Sequence, residues 1–141
     1  MNARSGKWKA GLSPAHDPEG KTIGIVGMGG IGSVVAQRCL AFGMKVIYHN
    51  RKPISPAPSF ECEYVGDKDE LLARSDLVSL NLPLNEKTKE SFGREEFGKM
   101  KDGSILINTA RGGVVDQEAL IEALTNGKVR EPAPGFIRTH R

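Results

Sequence analysis

The sequence predicts an α/β fold, a doubly wound sheet of parallel strands with helices on both faces. Three observations carry that prediction. Short apolar runs alternate along the chain with segments whose apolar residues recur at three- and four-residue steps, the β-α-β alternation of a parallel sheet. The run from Asp76 to Pro83 is nearly continuous in apolar content, as a strand covered on both faces must be. Gly27-Met28-Gly29-Gly30-Ile31-Gly32 satisfies G-x-G-x-x-G between a strand and a helix, inside a unit of about 30 residues.

Residues 1–20 read as a polar lead-in punctuated by Pro14, Pro18 and Gly20. Trp8, the single tryptophan, would waste a large apolar surface if exposed, so it is expected either to meet another domain or subunit or to belong to a disordered lead-in. The folded domain is expected over 21–129. Ile23, Ile25 and Val26 form the first strand. The following helix carries Ile31, Val34, Val35, Cys39 and Phe42 as its apolar stripe, and Gly43 stops it. Lys45 to Tyr48 is the second strand.

Lys52-Pro53-Ile54-Ser55-Pro56-Ala57-Pro58 is an irregular loop, because its prolines can join neither a ladder nor a helix interior. Glu63-Tyr64-Val65 is a short strand. Asp67 caps a helix over 68–74, with Glu70 completing a capping-box pattern and Leu71 and Leu72 on the buried side. The strand over 76–82 ends at Pro83, and 85–91 is a polar turn or short helix. Arg94 to Met100 is a helix with Phe97 and Met100 inward. Asp102-Gly103 makes a turn, and Ser104 to Asn108 is a strand. Asp116 caps the last helix, whose stripe is Ala119, Leu120, Ala123 and Leu124, and Asn126-Gly127 ends it.

The 141-residue length suits one domain. A net charge of +3 is too small and too dispersed to argue for nucleic acid. No run is long enough to cross a membrane. The N-terminal stretch has charges without an apolar core, so no secretory signal is expected. Cys39 and Cys62 show no metal spacing and are expected as free thiols in a reducing, cytoplasmic compartment.

The glycine loop has a physical reading residue by residue. Gly27 lets the chain turn sharply out of the strand. Gly29 lets backbone approach a pyrophosphate. Gly32 lets the helix pack closely on the sheet. Gly30 and Ile31 open the helix, whose free N–H groups and partial positive charge face bound phosphates. The cofactor is therefore a dinucleotide, held in a Rossmann-like fold. At the end of the second strand an NAD site usually carries an acid about 20 residues on from the glycines. Here stand His49, Asn50, Arg51 and Lys52, and Arg51 offers a planar fork of donors to a 2′-phosphate. NADP(H) is expected over NAD(H), with Asn50, Arg51 and Lys52 at that end. Gly27 to Gly32, Asn50-Arg51, Leu82-Pro83-Leu84 and Asn108 to Arg111 all follow strands, so one cleft is expected to collect them.

From about Gly6 to Val129 the chain resembles the D-isomer-specific 2-hydroxyacid dehydrogenases, above all their glyoxylate/hydroxypyruvate reductase branch. The stretches that carry the resemblance are GKWKAG, HDPEGKTIGIVGMGGIG, YHNR, LLARSDLVSLNLPL and, most specifically, INTARGGVVDQEALIEAL. The resemblance implies the NAD(P)-binding domain of an oxidoreductase that reduces a 2-oxo acid to the D-2-hydroxy acid. It puts the catalytic arginine on Arg111, which would hold the substrate carboxylate and polarise its carbonyl. It also puts Thr109 and Ala110 beside the nicotinamide, with Leu82, Pro83 and Leu84 walling the cofactor.

Departures from the family pattern follow Val129. The family's catalytic glutamate and histidine come after a further strand, and the tail 130–141, with Pro132, Pro134 and Gly135, has no strand of that type. Glu131-Pro132 lacks strand support and His140 stands beside a terminus, so neither is assigned. The expectation is a sheet truncated at its C-terminal end, an open sheet edge and a cofactor domain cut from a larger enzyme and inactive alone. The alternative expectation is a non-catalytic dinucleotide-binding or dimerising module, with a homodimer possible because the family pairs through its cofactor domains. A 2-oxo or 2-hydroxy acid is a partner only of a complete enzyme.

Overall fold

The computed structural model describes residues 17–130. Trp8, Glu131, Pro132, Pro134, Gly135 and His140 lie outside the described residues. Six strands and four helices follow one another as β1 (Thr22–Val26), α1 (Gly30–Ala41), β2 (Lys45–His49), β3 (Glu63–Tyr64), α2 (Lys68–Arg74), β4 (Leu77–Leu80), α3 (Arg94–Lys99), β5 (Ser104–Asn108), α4 (Gln117–Thr125) and β6 (Val129–Arg130). The strands form one sheet in the order β3-β2-β1-β4-β5-β6, every neighbouring pair parallel. This is the doubly wound, Rossmann-like order, in which the chain reverses direction across the sheet between β1 and β4.

Alternation along the strands divides the core into two layers. Ile23, Ile25, Val46 and Tyr48 face α1, meeting Ala36 and the half-buried Val35, Cys39 and Leu40. Val26, Ile47, Val78, Leu80 and Leu106 point the other way, against Leu71 and Leu72 of α2, Phe97 of α3, and Ala119 and Ala123 of α4. The sheet is therefore buried on both faces, which explains the apolar β4 sequence.

Helix α1 is rotated from the predicted stripe. Ile31, Val34 and Phe42 are 72%, 50% and 67% exposed, whereas Gly32 and Ala36 face the sheet. The reason is close packing. A Cβ on Gly32 would stand 2.8 Å from the Gly27 carbonyl oxygen and 3.3 Å from Ile25 Cγ2, so only small residues fit there. A pattern weighted by large side chains points away from that face.

Helix α2 is capped by Asp67, whose carboxylate accepts from the Asp69 N–H at 2.9 Å. Glu70 does not complete the capping box; it pairs with Arg74 one turn on, at 3.2 Å. A return arm of that kind is made instead at α3, where the Gly93 N–H donates to Glu96 at 2.9 Å. Two further differences lie near the end of the chain. A 3₁₀ turn over Gly112–Val114 separates β5 from α4. The two-residue β6 pairs with Ser104 and Ile105, so β6 rather than β5 forms that edge of the described sheet. Val129, buried in the core, anchors it; two residues are too few to leave a strand pattern in sequence.

Candidate functional site

The loops after β2, β1, β4 and β5 lie side by side at the carboxyl ends of the strands, as the sheet order requires. The reversal between β1 and β4 opens a crevice there, where ligands of such sheets bind. Its four predicted segments are joined by direct contacts, so the chain brings them into one place.

Between β1 and α1, Gly27 adopts φ +90°, and a Cβ there would meet the Asn81 carbonyl oxygen at 2.9 Å and Leu82 Cδ2 at 2.9 Å. Gly27 is thus a glycine for the protein's own sake, as is Gly32. Gly29 and Gly30 differ: a Cβ on either meets nothing within 4 Å. At Gly29 φ is −103°, outside the left-handed region. No packing contact demands glycine at this position, and the space over it is open to a ligand.

Charge agrees with that reading. Helices α2, α3 and α4 carry acidic residues in their first turns; α1 has none and no side-chain cap. The positive end of α1 and its free N–H groups are left uncompensated beside Gly29 and Gly30, ready for an anion.

The β2 end is tied to this loop. The Gly27 N–H donates to the His49 carbonyl at 3.0 Å. The Asn50 side chain accepts from the Met28 N–H at 2.8 Å and donates to the Met28 carbonyl at 3.2 Å. Arg51 and Lys52 follow, exposed, and among the described residues no carboxylate pairs with either. The chain has a cationic rim here and no acid at the end of β2.

On the other side of β1, Leu82 is half-buried against the core and against the Gly27 turn. Asn81 continues the β1–β4 ladder, its N–H donating to the Val26 carbonyl at 2.9 Å. Its side-chain oxygen is buried with no hydrogen-bond partner among the described residues. The Pro83 carbonyl accepts from the Thr88 hydroxyl, which braces the loop. Leu84 packs where a Cβ on Gly113 would be, at 3.2 Å, linking this loop to the next.

After β5, Asn108 frames the turn. Its side chain accepts from the Ala110 N–H at 3.2 Å and donates to the Arg111 carbonyl at 3.1 Å. Arg111 opens the 3₁₀ turn in extended conformation, exposed and without a carboxylate partner among the described residues. Its guanidinium is available to a planar anion such as a carboxylate. Thr109 is exposed beside it. Arg51 and Arg111 follow β2 and β5, the strands on the two flanks of the crevice, which lie three strand spacings apart, about 14 Å. Sequence reading singled out neither the Asn50 clasp nor the Asn108 frame, since both are contacts made through the fold. An Asn at the end of a strand was the available signal.

Two hollows among the described residues lie elsewhere. One, at the amino ends of β1, β4 and β5, is lined by Lys21, Asp76, Lys101 and Ser104, where Lys101 already neutralises Asp76 at 3.2 Å; the other lies between α3 and α4. Neither touches the glycine loop. The shelf over Gly29 is the better ligand site, because an open crevice does not enclose volume until a ligand fills it. Among the described residues no group of His, Cys, Asp and Glu could hold a metal ion, and no helix is long and apolar enough to cross a membrane.

Comparison with known proteins identifies the family to which this fold corresponds. The family model described as D-isomer specific 2-hydroxyacid dehydrogenase, NAD binding domain, matches residues 1–133. The 4-methyl-2-oxopentanoate reductase A of Aspergillus oryzae is 52% identical over 126 residues, covering 89% of this chain and 38% of the relative. A hydroxypyruvate reductase of Thermotoga maritima is 46% identical over 129 residues, 92% of this chain and 41% of the relative. The crystal structure of a glyoxylate reductase from Paecilomyes thermophila superposes with a TM-score of 0.85 at 48% identity, over 94% of this chain and 42% of that one. The chain thus spans about two fifths of the length of these relatives.

Proposed function

The chain belongs to the D-isomer specific 2-hydroxyacid dehydrogenases through their NAD-binding domain, and from that premise we propose that it binds NADPH in preference to NADH across the crevice and, in a complete enzyme, presents it to a 2-oxo acid. The observation that carries the binding site is the open space over Gly29 and Gly30, glycines that the fold itself does not need. The pyrophosphate lies on the α1 N-terminus, contacted by Gly29, Gly30 and Ile31. Arg51 grips the 2′-phosphate, with Lys52 adding charge, in a place where no acid repels it. Leu82 and Pro83 wall the middle of the cofactor, and Thr109 and Ala110 line the nicotinamide.

When bound, the dinucleotide supplies the hydride. Arg111 acts on the substrate. Its fork of donors holds the carboxylate of a 2-oxo acid and draws electron density from the adjacent carbonyl. The glyoxylate, hydroxypyruvate and 4-methyl-2-oxopentanoate reductases named among the relatives share that 2-oxo acid chemistry.

The test is a thermal melt of the chain alone and with saturating NADPH or NADH. Binding at about 100 times Kd adds roughly 2.7 kcal/mol, on the order of 5–10 °C for a domain of this size. A larger shift with NADPH than NADH is expected; a cooperative melt with no shift for either sinks the proposal.

A second reading, a dimerising module, is favoured by one observation. Ile31, Val34 and Phe42 expose apolar surface along α1. Light scattering should give the mass of a pair at high concentration, and a monomer throughout would remove this reading.

A further inference from the structure

The geometry points to Asn50 as a positioning residue: its carboxamide fixes the backbone of the glycine loop at Met28, and so sets the grip on the pyrophosphate common to both nicotinamide dinucleotides instead of choosing between them. This rests on the dinucleotide reading of the crevice.

Both arms of the Asn50 amide are committed to one residue. Oδ1 accepts from the Met28 N–H at 2.8 Å, and Nδ2 donates to the Met28 carbonyl at 3.2 Å. Only a carboxamide both accepts and donates at this reach; a carboxylate keeps the first bond, loses the second and sets negative charge against the Met28 carbonyl. The clasp is itself held. The Asn50 carbonyl accepts from the Tyr64 hydroxyl at 3.2 Å, and the Tyr64 ring packs against Tyr48 with centroids 5.4 Å apart. Tyr48 in turn accepts from the Ile54 N–H at 3.2 Å. The Met28 side chain is buried in the α1 layer, so the residue is fixed from both its backbone and its side chain. Gly29 and Gly30 begin directly after it and have no side-chain packing of their own. Their path to the α1 N-terminus is therefore launched from a point that Asn50 holds. The amide is turned toward Met28 by these two bonds and carries no charge, so it does not offer the ribose the carboxylate that an acid at this place would. The choice between cofactors passes to Arg51.

The experiment uses the whole chain and two readouts. Dissociation constants for NADPH and for NADH are measured by titration for the natural protein, Asn50→Ala, Asn50→Asp, Tyr64→Phe and Arg51→Ala. Amide hydrogen exchange at Met28 to Ser33 is followed without cofactor. Losing the clasp is expected to weaken NADPH and NADH alike, about tenfold, with their ratio unchanged and exchange at Met28 faster. Tyr64→Phe, which keeps the ring, moves both in the same direction by less, and serves if Asn50→Ala does not fold. Arg51→Ala is the contrast, changing the ratio. Asn50→Asp should keep partial protection of the Met28 amide and still bind NADPH less well. The inference is overturned if Asn50→Ala weakens one cofactor alone, which would mean the amide reads the ribose, or if neither affinity nor Met28 exchange changes. A natural protein that binds neither cofactor sinks the dinucleotide reading instead, and Met28 exchange in the unliganded variants still decides whether the clasp holds the loop.

Discussion

Gly29 and Gly32, three residues apart, respond differently to one added methyl group. At Gly32 the new Cβ meets backbone at 2.8 Å, which cannot move aside without shifting β1 or α1. Gly32→Ala should therefore lower stability by about 1–3 kcal/mol, read as a lower melting temperature. At Gly29 the Cβ meets nothing. Gly29→Ala should leave the melt nearly unchanged and weaken NADPH at least about tenfold, since the methyl enters ligand space. An unchanged affinity would mean no ligand approaches there. The two thiols obey a different constraint. Burial pushes both Cys39 and Cys62 above the ordinary thiol range, so less thiolate exists at neutral pH. Alkylation of the native chain near pH 8 should be slower than that of a free thiol and should accelerate only as pH passes the usual range. Rapid labelling at pH 7 would contradict this.

Helices and strands meet at points where one residue decides the fit. Gly24, in the middle of β1, is the tightest: a Cβ there would lie 2.1 Å from Ser75 Oγ and 2.6 Å from Leu71 Cδ2, both residues fully buried. Gly24→Ala should cost at least as much as Gly32→Ala, because α2 must retreat from the sheet. A denaturation midpoint equal to that of the natural protein would refute the packing. Carboxylates pin other junctions. Asp76 accepts from the Thr22 N–H at 2.9 Å and from Lys101 at 3.2 Å, tying β1 and β4 to the turn before β5. Burial pushes its carboxyl upward, but those bonds and the nearby lysines outweigh it and hold it below the ordinary value. Burial likewise raises Glu96, and the Gly93 and Glu96 N–H groups and Lys68 bring it below the ordinary value. A depressed folded-state pKa means stability that is present above the unfolded value and lost as pH falls through the folded one. The melting temperature should therefore be steady near neutrality and drop as pH falls from the usual carboxylate range, about 4, downward. Asp76→Asn should flatten part of that drop.

At the scale of the whole molecule, the described residues carry one catalytic candidate, Arg111, at one flank of the dinucleotide crevice. Proton transfer from a positioned acid typically contributes about 10²–10⁴-fold in rate, and the described residues place no histidine or carboxylate in hydrogen-bond contact with Arg111. This chain by itself should therefore bind NADPH yet reduce glyoxylate or hydroxypyruvate at a rate near background. Sustained turnover by the purified chain would contradict that.

Local pattern was enough for most elements. The helix over 68–74, the strand over 104–108, the Asp116 cap and the glycine loop between β1 and α1 all stand where sequence puts them, because period, capping and turn chemistry act within a few residues. The parallel α/β class followed from their alternation. What sequence misplaced was set by partners distant in the chain. The face of α1 was decided by how closely Gly32 approaches β1, and β6 exists because Val129 finds the core beside β5. The Met28–Asn50 clasp spans 22 positions and forms only because β1 and β2 are neighbours. Sequence by itself determined the elements and the glycine fingerprint. Only the tertiary structure decided which glycines serve the fold and which leave room for a ligand, since that distinction is measured in ångströms between residues that are not adjacent in the chain.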